Sequence, residues 1–479
     1  MCGLMGIIGG NDVAFDIYEG LIALQHRGQD SCGIITYNRQ FHLKKGLGLA
    51  RDVFDENNMV RLTGKMGIGH TRYVTVGNIS IEDAQPFKIE APYGIALAHN
   101  GNIFNFHELR EELFKKELRH INSDCDAEVI LNIFALELEK GICGDFIENV
   151  FNAVSGVYKR AKGAYSVVGI IADKGLFAFR DPHGIKPLVI GERKIGEKTD
   201  YVFASENTMF SALDFSYVRD ISPGEAVFVD LDGNFYSRTI EQKSFKPCVF
   251  EYVYFARPDS MLDRVSVYRS RLRMGQNLAL KIKKERPGLE VDVVIPAPST
   301  ANTAALSLAR ALGVRYSEGL YKNNFIGRTF IMPGQEQRKR SLKFKISPIE
   351  LEIRNKNILI VDDSIVRGNT SLQIVNLVRK CGAKKVYFAS ASPPLRFPCL
   401  YGIDMPSRKD FIANYSDIES IRKKINVDYL VYQDLDDLVE AVTRKGDHKI
   451  IRPCHACFSG EYPTEDITEE TLNKAEALR

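Results

Sequence analysis

Ile358-Leu359-Ile360-Val361-Asp362-Asp363-Ser364-Ile365-Val366-Arg367-Gly368-Asn369-Thr370-Ser371 decides the fold of the second half of the chain. Four apolar residues without polar alternation are what a parallel strand covered on both faces requires. Two acids follow, then a Gly- and hydroxyl-rich turn that opens a helix stopped at Gly382. In open α/β sheets ligands sit beyond the carboxyl ends of strands, and a helix N-terminus there offers unpaired N–H groups to a phosphate. Ser364, Arg367, Gly368, Asn369, Thr370 and Ser371 are therefore read as a phosphate cradle. Asp362 and Asp363 are placed to accept hydrogen bonds from vicinal sugar hydroxyls and to assist a Mg²⁺, which favours hard oxygen ligands. A Walker loop is excluded, because no Gly-Lys-Ser/Thr is present at the required spacing.

Outward from this stretch the same rhythm recurs. A strand over Val291 to Ile295 is followed by a helix over about 301–312 that stops at Gly313, and Lys385-Val386-Tyr387-Phe388-Ala389 opens a further strand. Strand, loop, helix, strand is the grammar of a doubly wound α/β sheet. The first half differs: short strands at 33–35, 66–68, 94–98, 165–168, 176–179 and 226–229 are joined by Gly-rich turns, with helices near 105–119 and 126–140. The spacing predicts two domains, 1–240 and 241–479.

Bulk properties narrow the function. The 479 residues are 44% hydrophobic and 26% charged, as in an ordinary globular protein. Sixty-four basic and 61 acidic residues, mixed along the chain for a net charge of +3, give no broad field for nucleic acid or membrane. The absence of a spanning apolar run and of a secretion-signal layout predicts a cytoplasmic protein. Nine cysteines in such a chain suit catalysis or metal ligation better than a disulfide framework.

Cys2 follows the initiator Met. Trimming Met1 leaves a thiol and a free α-amine on one residue, and the amine can serve as base for its own side chain. A thiol so activated can attack a carboxamide and hold a thioester. Four further motifs follow in order: Gln25-His26-Arg27-Gly28-Gln29-Asp30, Gly69-His70-Thr71-Arg72-Tyr73, His99-Asn100-Gly101-Asn102 and Asp124-Cys125-Asp126-Ala127-Glu128. Taken singly, Arg72 reads as a solvated surface residue, Asp126 as a helix cap and Asn100-Gly101 as a turn. Together with Cys2 they resemble the class II, N-terminal-nucleophile glutamine amidotransferases, whose fold is a four-layer α/β/β/α sandwich. Arg180-Asp181-Pro182-His183-Gly184-Ile185-Lys186-Pro187-Leu188 and Ala204-Ser205-Glu206 continue the resemblance, with Lys186 where an Arg is more usual. The resemblance implies that Arg72 holds the glutamine carboxylate and Asp126 its ammonium, with Tyr73 and His70 alongside. It also implies an oxyanion hole made by the Asn100 side chain and the Gly101 N–H.

The stretch quoted first is similar to the signature of type I phosphoribosyltransferases, with Asn369 where Thr is frequent. Ile295-Pro296-Ala297-Pro298-Ser299-Thr300 falls at that family's diphosphate loop. There Thr300 matches a Mg²⁺-contacting position and Ser299 replaces an acid. Tyr321 to Gln335, with Lys322 and Arg328 and with Asn324 at a commonly basic spot, resembles a closing lid that leads into Arg338, Lys339, Arg340, Lys343 and Lys345. Phe250-Glu251-Tyr252-Val253-Tyr254-Phe255-Ala256-Arg257-Pro258-Asp259-Ser260 extends the likeness across the junction. Over nearly its whole length the chain resembles the amidophosphoribosyltransferase family. That resemblance implies glutamine and 5-phosphoribosyl 1-diphosphate as substrates, feedback by purine nucleotides and a homotetramer. The quoted phosphoribosyl signature argues against glucosamine-6-phosphate synthase and an asparagine synthetase, and the N-terminal glutaminase motifs argue against a purine-sensing regulator.

Cys454-His455-Ala456-Cys457 has ligand spacing. With Cys248 and Cys399 it makes a four-thiolate set that chemistry alone assigns to zinc or to an iron–sulfur cluster. These positions match the ligands of the cluster-bearing subgroup of the same family, which implies a [4Fe–4S] cluster with a structural role. Cys32, Cys125, Cys143 and Cys381 have no such match and read as incidental thiols.

Overall fold

The computed structural model describes residues 1–74, 80–141, 144–323, 345–405, 407–444, 452–464 and 467–477. Arg328, Asn324, the basic stretch from Arg338 to Lys343, and Cys143 lie outside the described residues.

Two antiparallel sheets build the first half. One has seven strands in the order Ser216–Asp220, Val189–Ile195, Lys198–Ala204, Gly3–Ile8, Met66–Arg72, Ser31–Asn38 and Gln40–Leu47. The other has six: Phe235–Thr239, Glu225–Asp230, Gly175–Arg180, Gly163–Ile171, Ile95–Ile103 and Phe87–Ile89. Leu4, Ile35 and Ile68 of the first sheet meet Ala98, Val168 and Ala178 of the second in one buried core. Small residues let the sheets approach closely; a Cβ on Gly6 would fall 2.4 Å from Val168 Cγ1. Helix Ala14–Ala23 packs Ile17 and Leu21 on the outer face of the first sheet. Helices Phe106–Glu117, Asp126–Lys140 and Phe146–Arg160 cover the outer face of the second, sharing a core with Phe177 and Phe179. The result is a four-layer α/β/β/α sandwich.

Helix Phe146–Arg160 has no counterpart in the sequence-based assignment. Its apolar face is Val150, Val154 and Val157, β-branched residues that lean toward strand until packing against the sheet settles the matter.

The second half is a five-stranded parallel sheet ordered Arg315–Tyr316, Val293–Pro296, Asn357–Asp362, Lys385–Ser390 and Tyr429–Tyr432. Ile358, Leu359, Ile360 and Val361 are fully buried, as a strand covered on both faces demands. Helices Val267–Glu285 and Asn302–Leu312 pack on one face with Leu278, Ala305 and Leu308, while Asn369–Lys380 packs Ile374 and Val378 on the other. The chain leaves Val293–Pro296 for one neighbour and later returns on its opposite side at Asn357–Asp362, so the strand order reverses between these two strands. Their carboxyl ends therefore flank the crevice where doubly wound sheets take ligands.

A third core joins the halves: Met1 and Ile185 pack with Val249, Phe250, Tyr401 and Phe458 around the cysteines. No helix among the described residues is long and apolar enough to cross a membrane.

Candidate functional site

Cys2 ends up at the cavity because it leads the central strand Gly3–Ile8 of the first sheet, next to Arg72 at the end of Met66–Arg72. From the facing sheet, strand Ile95–Ile103 brings Asn100 and Gly101 alongside. Cys2 N donates to Asn100 Oδ1 at 3.0 Å, and the Cys2 thiol lies 3.8 Å from the Tyr73 carbonyl. Asn100 is fully buried, yet its Nδ2 has no hydrogen-bond partner among the described residues. A buried donor left unpaired costs about 1–3 kcal/mol, so one on the side chain that holds Cys2 N calls for a purpose.

Arg72 is 5% exposed, and its Nη2 lies 3.7 Å from Asp83 Oδ2. Asp126, first residue of its helix, accepts from Ile103 N at 2.9 Å and faces His99 Nε2 at 3.1 Å. Burial pushes the Asp126 carboxyl up, but His99 and the Ile103 N–H outweigh it and hold the group below its usual range. His99 answers in reverse: burial pulls its imidazolium down, and Asp126 raises it by more.

His70 is not on the cavity wall. It is fully buried, its Nε2 donates 3.1 Å to the His99 carbonyl, and burial with His99 and Arg72 nearby keeps it neutral. His99 and Gln85 were assigned no role from sequence, yet they form the support: Gln85 Oε1 accepts from His99 N at 2.7 Å, and Gln85 Nε2 lies 3.2 Å from His99 Nδ1. His99 stood in a quoted motif; Gln85 gave no signal.

The second half closes this cavity. Asn102 Nδ2 donates to the Leu400 carbonyl at 2.8 Å, and the Tyr73 hydroxyl to Asp404 Oδ2 at 3.1 Å. Gly402 has φ +88°, and a Cβ there would stand 2.5 Å from the Gly101 carbonyl oxygen. Only glycine permits that approach.

At the strand-order reversal the two loops meet. Asp363 N donates to Asp362 Oδ1 at 2.9 Å, Ser364 Oγ to Asp363 Oδ1 at 2.7 Å, and Thr300 hydrogen-bonds Asp363. Both carboxylates are half-buried; burial raises them, and Asp363 raises Asp362 further. Helix Asn369–Lys380 starts from Gly368 at φ +78° without a side-chain cap, so its first N–H groups face outward. Asn369 and Thr370 are exposed there, and Ser371 is buried. Arg367 turns to Asp410, Nε to Oδ1 at 3.1 Å. A second cavity, lined by Ser299, Thr300, Lys322 and Arg271, reaches His26 and Arg257 and so touches both halves. Arg271 was invisible to sequence reading because it sits mid-helix; it is buried, with Nε donating 2.9 Å to the Tyr252 carbonyl.

Cys248, Cys399, Cys454 and Cys457 are buried in the third core. Backbone bonds stitch their segments: Cys454 N to Pro247 O at 2.9 Å, Val249 N to Cys454 O at 3.0 Å, and Arg396 N to Cys457 O at 3.0 Å. Burial raises the Cys454 and Cys457 thiols, and Cys248 and Cys399 add to the rise in both, which places all four within one another's field. No three described His, Cys, Asp or Glu side chains close tightly on a single ion.

Known proteins resemble the chain over its whole length. Residues 70–212 match the glutamine amidotransferase domain family. The amidophosphoribosyltransferases of Pseudomonas aeruginosa and Escherichia coli are 49% and 48% identical, each over 100% of this chain and 96% of theirs. That of Saccharomyces cerevisiae is 46% identical, over 100% and 96%. The solved glutamine phosphoribosylpyrophosphate amidotransferase of B. subtilis, complexed with ADP and GMP, superposes with a TM-score of 0.85 at 34% identity, covering 98% of each chain. A structure described as the allosteric regulatory enzyme of purine biosynthesis gives 0.88 at 33% identity, covering 100% of this chain and 99% of its own. Full-length identity of this order, on a glutaminase sandwich joined to a parallel sheet with paired aspartates at its reversal point, shows that the chain belongs to the amidophosphoribosyltransferase family.

Proposed function

We propose that the chain hydrolyses glutamine at Cys2 and passes the ammonia to 5-phosphoribosyl 1-diphosphate, giving 5-phosphoribosylamine and diphosphate for purine synthesis. The observation that carries the reading is the posture of Asn100: Oδ1 accepts from Cys2 N, while Nδ2 on the same side chain is buried and has no hydrogen-bond partner among the described residues. Removal of Met1 turns Cys2 N into an amine already held by Asn100. The amine takes the thiol proton, Sγ bonds to the carboxamide carbon, and the oxyanion is met by Asn100 Nδ2 and the Gly101 N–H. The C–N bond breaks with the proton returned to nitrogen, and water then releases glutamate from the thioester. Arg72 suits the substrate α-carboxylate, and Asp126, held ionised by His99, suits the α-ammonium. Tyr73, fastened to Asp404, closes the wall.

Ammonia must travel uncharged, because a protonated nitrogen has no lone pair for the anomeric carbon. Asp362 and Asp363 accept the ribose hydroxyls, and the start of helix Asn369–Lys380 with Ser364, Gly368, Asn369 and Thr370 takes the 5-phosphate. Ser299 and Lys322 face the diphosphate in this reading, with Arg328 of the lid. Arg367 must leave Asp410 to join them, and Ser371 supports the helix from within. The half-buried, mutually repelling Asp362 and Asp363, with Thr300, fit a divalent cation; Mg²⁺ there would neutralise the diphosphate leaving group. Four buried thiols on stitched segments fit a [4Fe–4S] cluster, held by Cys248, Cys399, Cys454 and Cys457, which would tie the C-terminal segment to the core. We further infer a cytoplasmic homotetramer, divided at residue 240, under purine nucleotide feedback. The ADP and GMP in the B. subtilis relative support the last point.

Arg72→Ala should abolish glutamine-dependent diphosphate release while turnover with added ammonium persists. Asp362→Ala should damage both routes. Equal loss in both variants would refute this division of labour.

A further inference from the structure

Three sequence motifs that the mechanism leaves unused, around Arg27, Glu206 and Glu251, converge in one buried network. Arg27 is 0% exposed and spends its fork on three acceptors: Nε on the Cys2 carbonyl at 2.9 Å, Nη2 on Glu251 Oε1 at 2.7 Å, and Nη1 on Glu206 Oε1. Glu206, also 0% exposed, takes His26 Nε2 on the same oxygen at 2.8 Å. Its other oxygen accepts the Arg257 N–H at 3.0 Å and the Ser260 hydroxyl. Burial opposes the Glu206 charge, but Arg27, His26 and Ser260 overcome it and hold the carboxyl far below its usual range.

We propose that Glu206 is a positioning residue for the Cys2 nucleophile, acting through the Arg27 guanidinium that grips the Cys2 carbonyl. The inference rests on the glutaminase reading above and assigns residues outside it. A lone lysine could not replace Arg27, since three acceptors in different directions need the planar fork. Glu206 is the one member that also holds the far wall: His26 and Arg257 line the second cavity with Ser299, Thr300 and Lys322. One carboxylate thus fixes the backbone of the nucleophile with one oxygen and the edge of the phosphoribosyl pocket with the other. A shift of Arg257 reaches Cys2 through three hydrogen bonds in series: Arg257 N to Glu206, Arg27 Nη1 to Glu206, and Arg27 Nε to the Cys2 carbonyl. Buried charge pairs of this kind transmit position well because neither partner can relax into water without a large penalty.

The test compares glutamate release, glutamine-driven diphosphate release and ammonium-driven diphosphate release in the full-length enzyme, its Glu206→Gln variant and its Ser260→Ala variant. Glu206→Gln keeps the shape and removes the charge. A misplacement near 1 Å at a nucleophile costs about 100-fold, so kcat for glutamate release should fall by that order while KM for glutamine is little changed. The ratio of glutamine- to ammonium-driven diphosphate release should fall by the same factor. Ser260→Ala removes one hydroxyl from Glu206 Oε2 and leaves the fold; loss of a hydrogen bond to a charged group predicts about a tenfold drop in the same direction. An unchanged ratio in Ser260→Ala, or a rise in KM with kcat intact, overturns the proposal even where Glu206→Gln does not fold. Wild-type enzyme that releases glutamate but no diphosphate sinks the phosphoribosyl reading instead, and glutamate release alone then decides the role of Glu206.

Discussion

Replacing Asn100 by alanine separates catalysis from stability. Among the described residues the side chain makes one hydrogen bond, Oδ1 accepting from Cys2 N at 3.0 Å, and carries one buried unpaired donor, Nδ2. Losing the bond costs about 1 kcal/mol, and removing a buried unpaired donor returns about 1–3 kcal/mol, so the variant should be as stable as wild type or up to about 2 kcal/mol more stable. Backbone pairing of Asn100 with Ser166 on the adjacent strand is untouched by the substitution. Catalysis is another matter. An oxyanion donor matters only when the tetrahedral oxygen forms, and its removal typically costs about 100- to 1000-fold in kcat, or about 2.7–4 kcal/mol. The assay is diphosphate release with glutamine or with ammonium, beside a thermal melt. The expected pattern is a glutamine route lowered by that factor, an ammonium route near wild type, and a melting temperature within about 4 °C. A glutamine rate within threefold of wild type would refute the oxyanion assignment. Parallel loss of both routes would show that Asn100 acts through the interface with the second half.

The His99–Asp126 pair gives a pH signature. His99 has its pKa raised above 6.5, so the stability it contributes is fully present below that value and is lost as pH rises through the folded-state value. The difference in melting temperature between wild type and His99→Gln should therefore shrink from pH 6 toward pH 9; a constant difference would show that the pair is not charged. Gly402→Ala puts a Cβ 2.5 Å from the Gly101 oxygen at φ +88°, a left-handed conformation that costs an L-residue about 1–2 kcal/mol. Glutamine-dependent turnover should drop at least tenfold while ammonium-dependent turnover drops less, checked by the same two-route assay. For the cysteines, iron and sulfide analysis of anaerobically purified protein should find four of each per chain in the wild type and sharply less in Cys399→Ser. Zinc in their place would overturn the cluster assignment.

Much of this protein was legible in one dimension because the signals are local. A four-residue apolar run, two acids and a glycine turn specify a parallel strand, its exit loop and a helix start within fourteen consecutive residues, and Ile358 to Ser371 folds that way. The helices at Phe106–Glu117 and Asp126–Lys140 likewise follow from Leu and Ile at helical spacing. What stayed hidden depends on contacts between distant segments. The valine-faced helix Phe146–Arg160 is settled by the sheet it covers.

The sequence by itself determined the chemical inventory: a thiol next to the N-terminus, an Arg and an Asp in the motifs that follow it, a carboxylate pair at a strand end, four thiols. Only the tertiary structure decided their state. His99 and the Ile103 N–H, acting against burial, fix Asp126 as an anion, burial beneath His99 removes His70 from the cavity wall, and an ion pair draws Arg367 to Asp410. It also decided that Leu400, Gly402 and Asp404 of the second half pack against the walls of the cavity beside Cys2, and that Glu206 faces Arg27. Charge state and packing depend on which groups share a desolvated volume, and residues separated by some 180 to 330 positions share one only after the chain has folded.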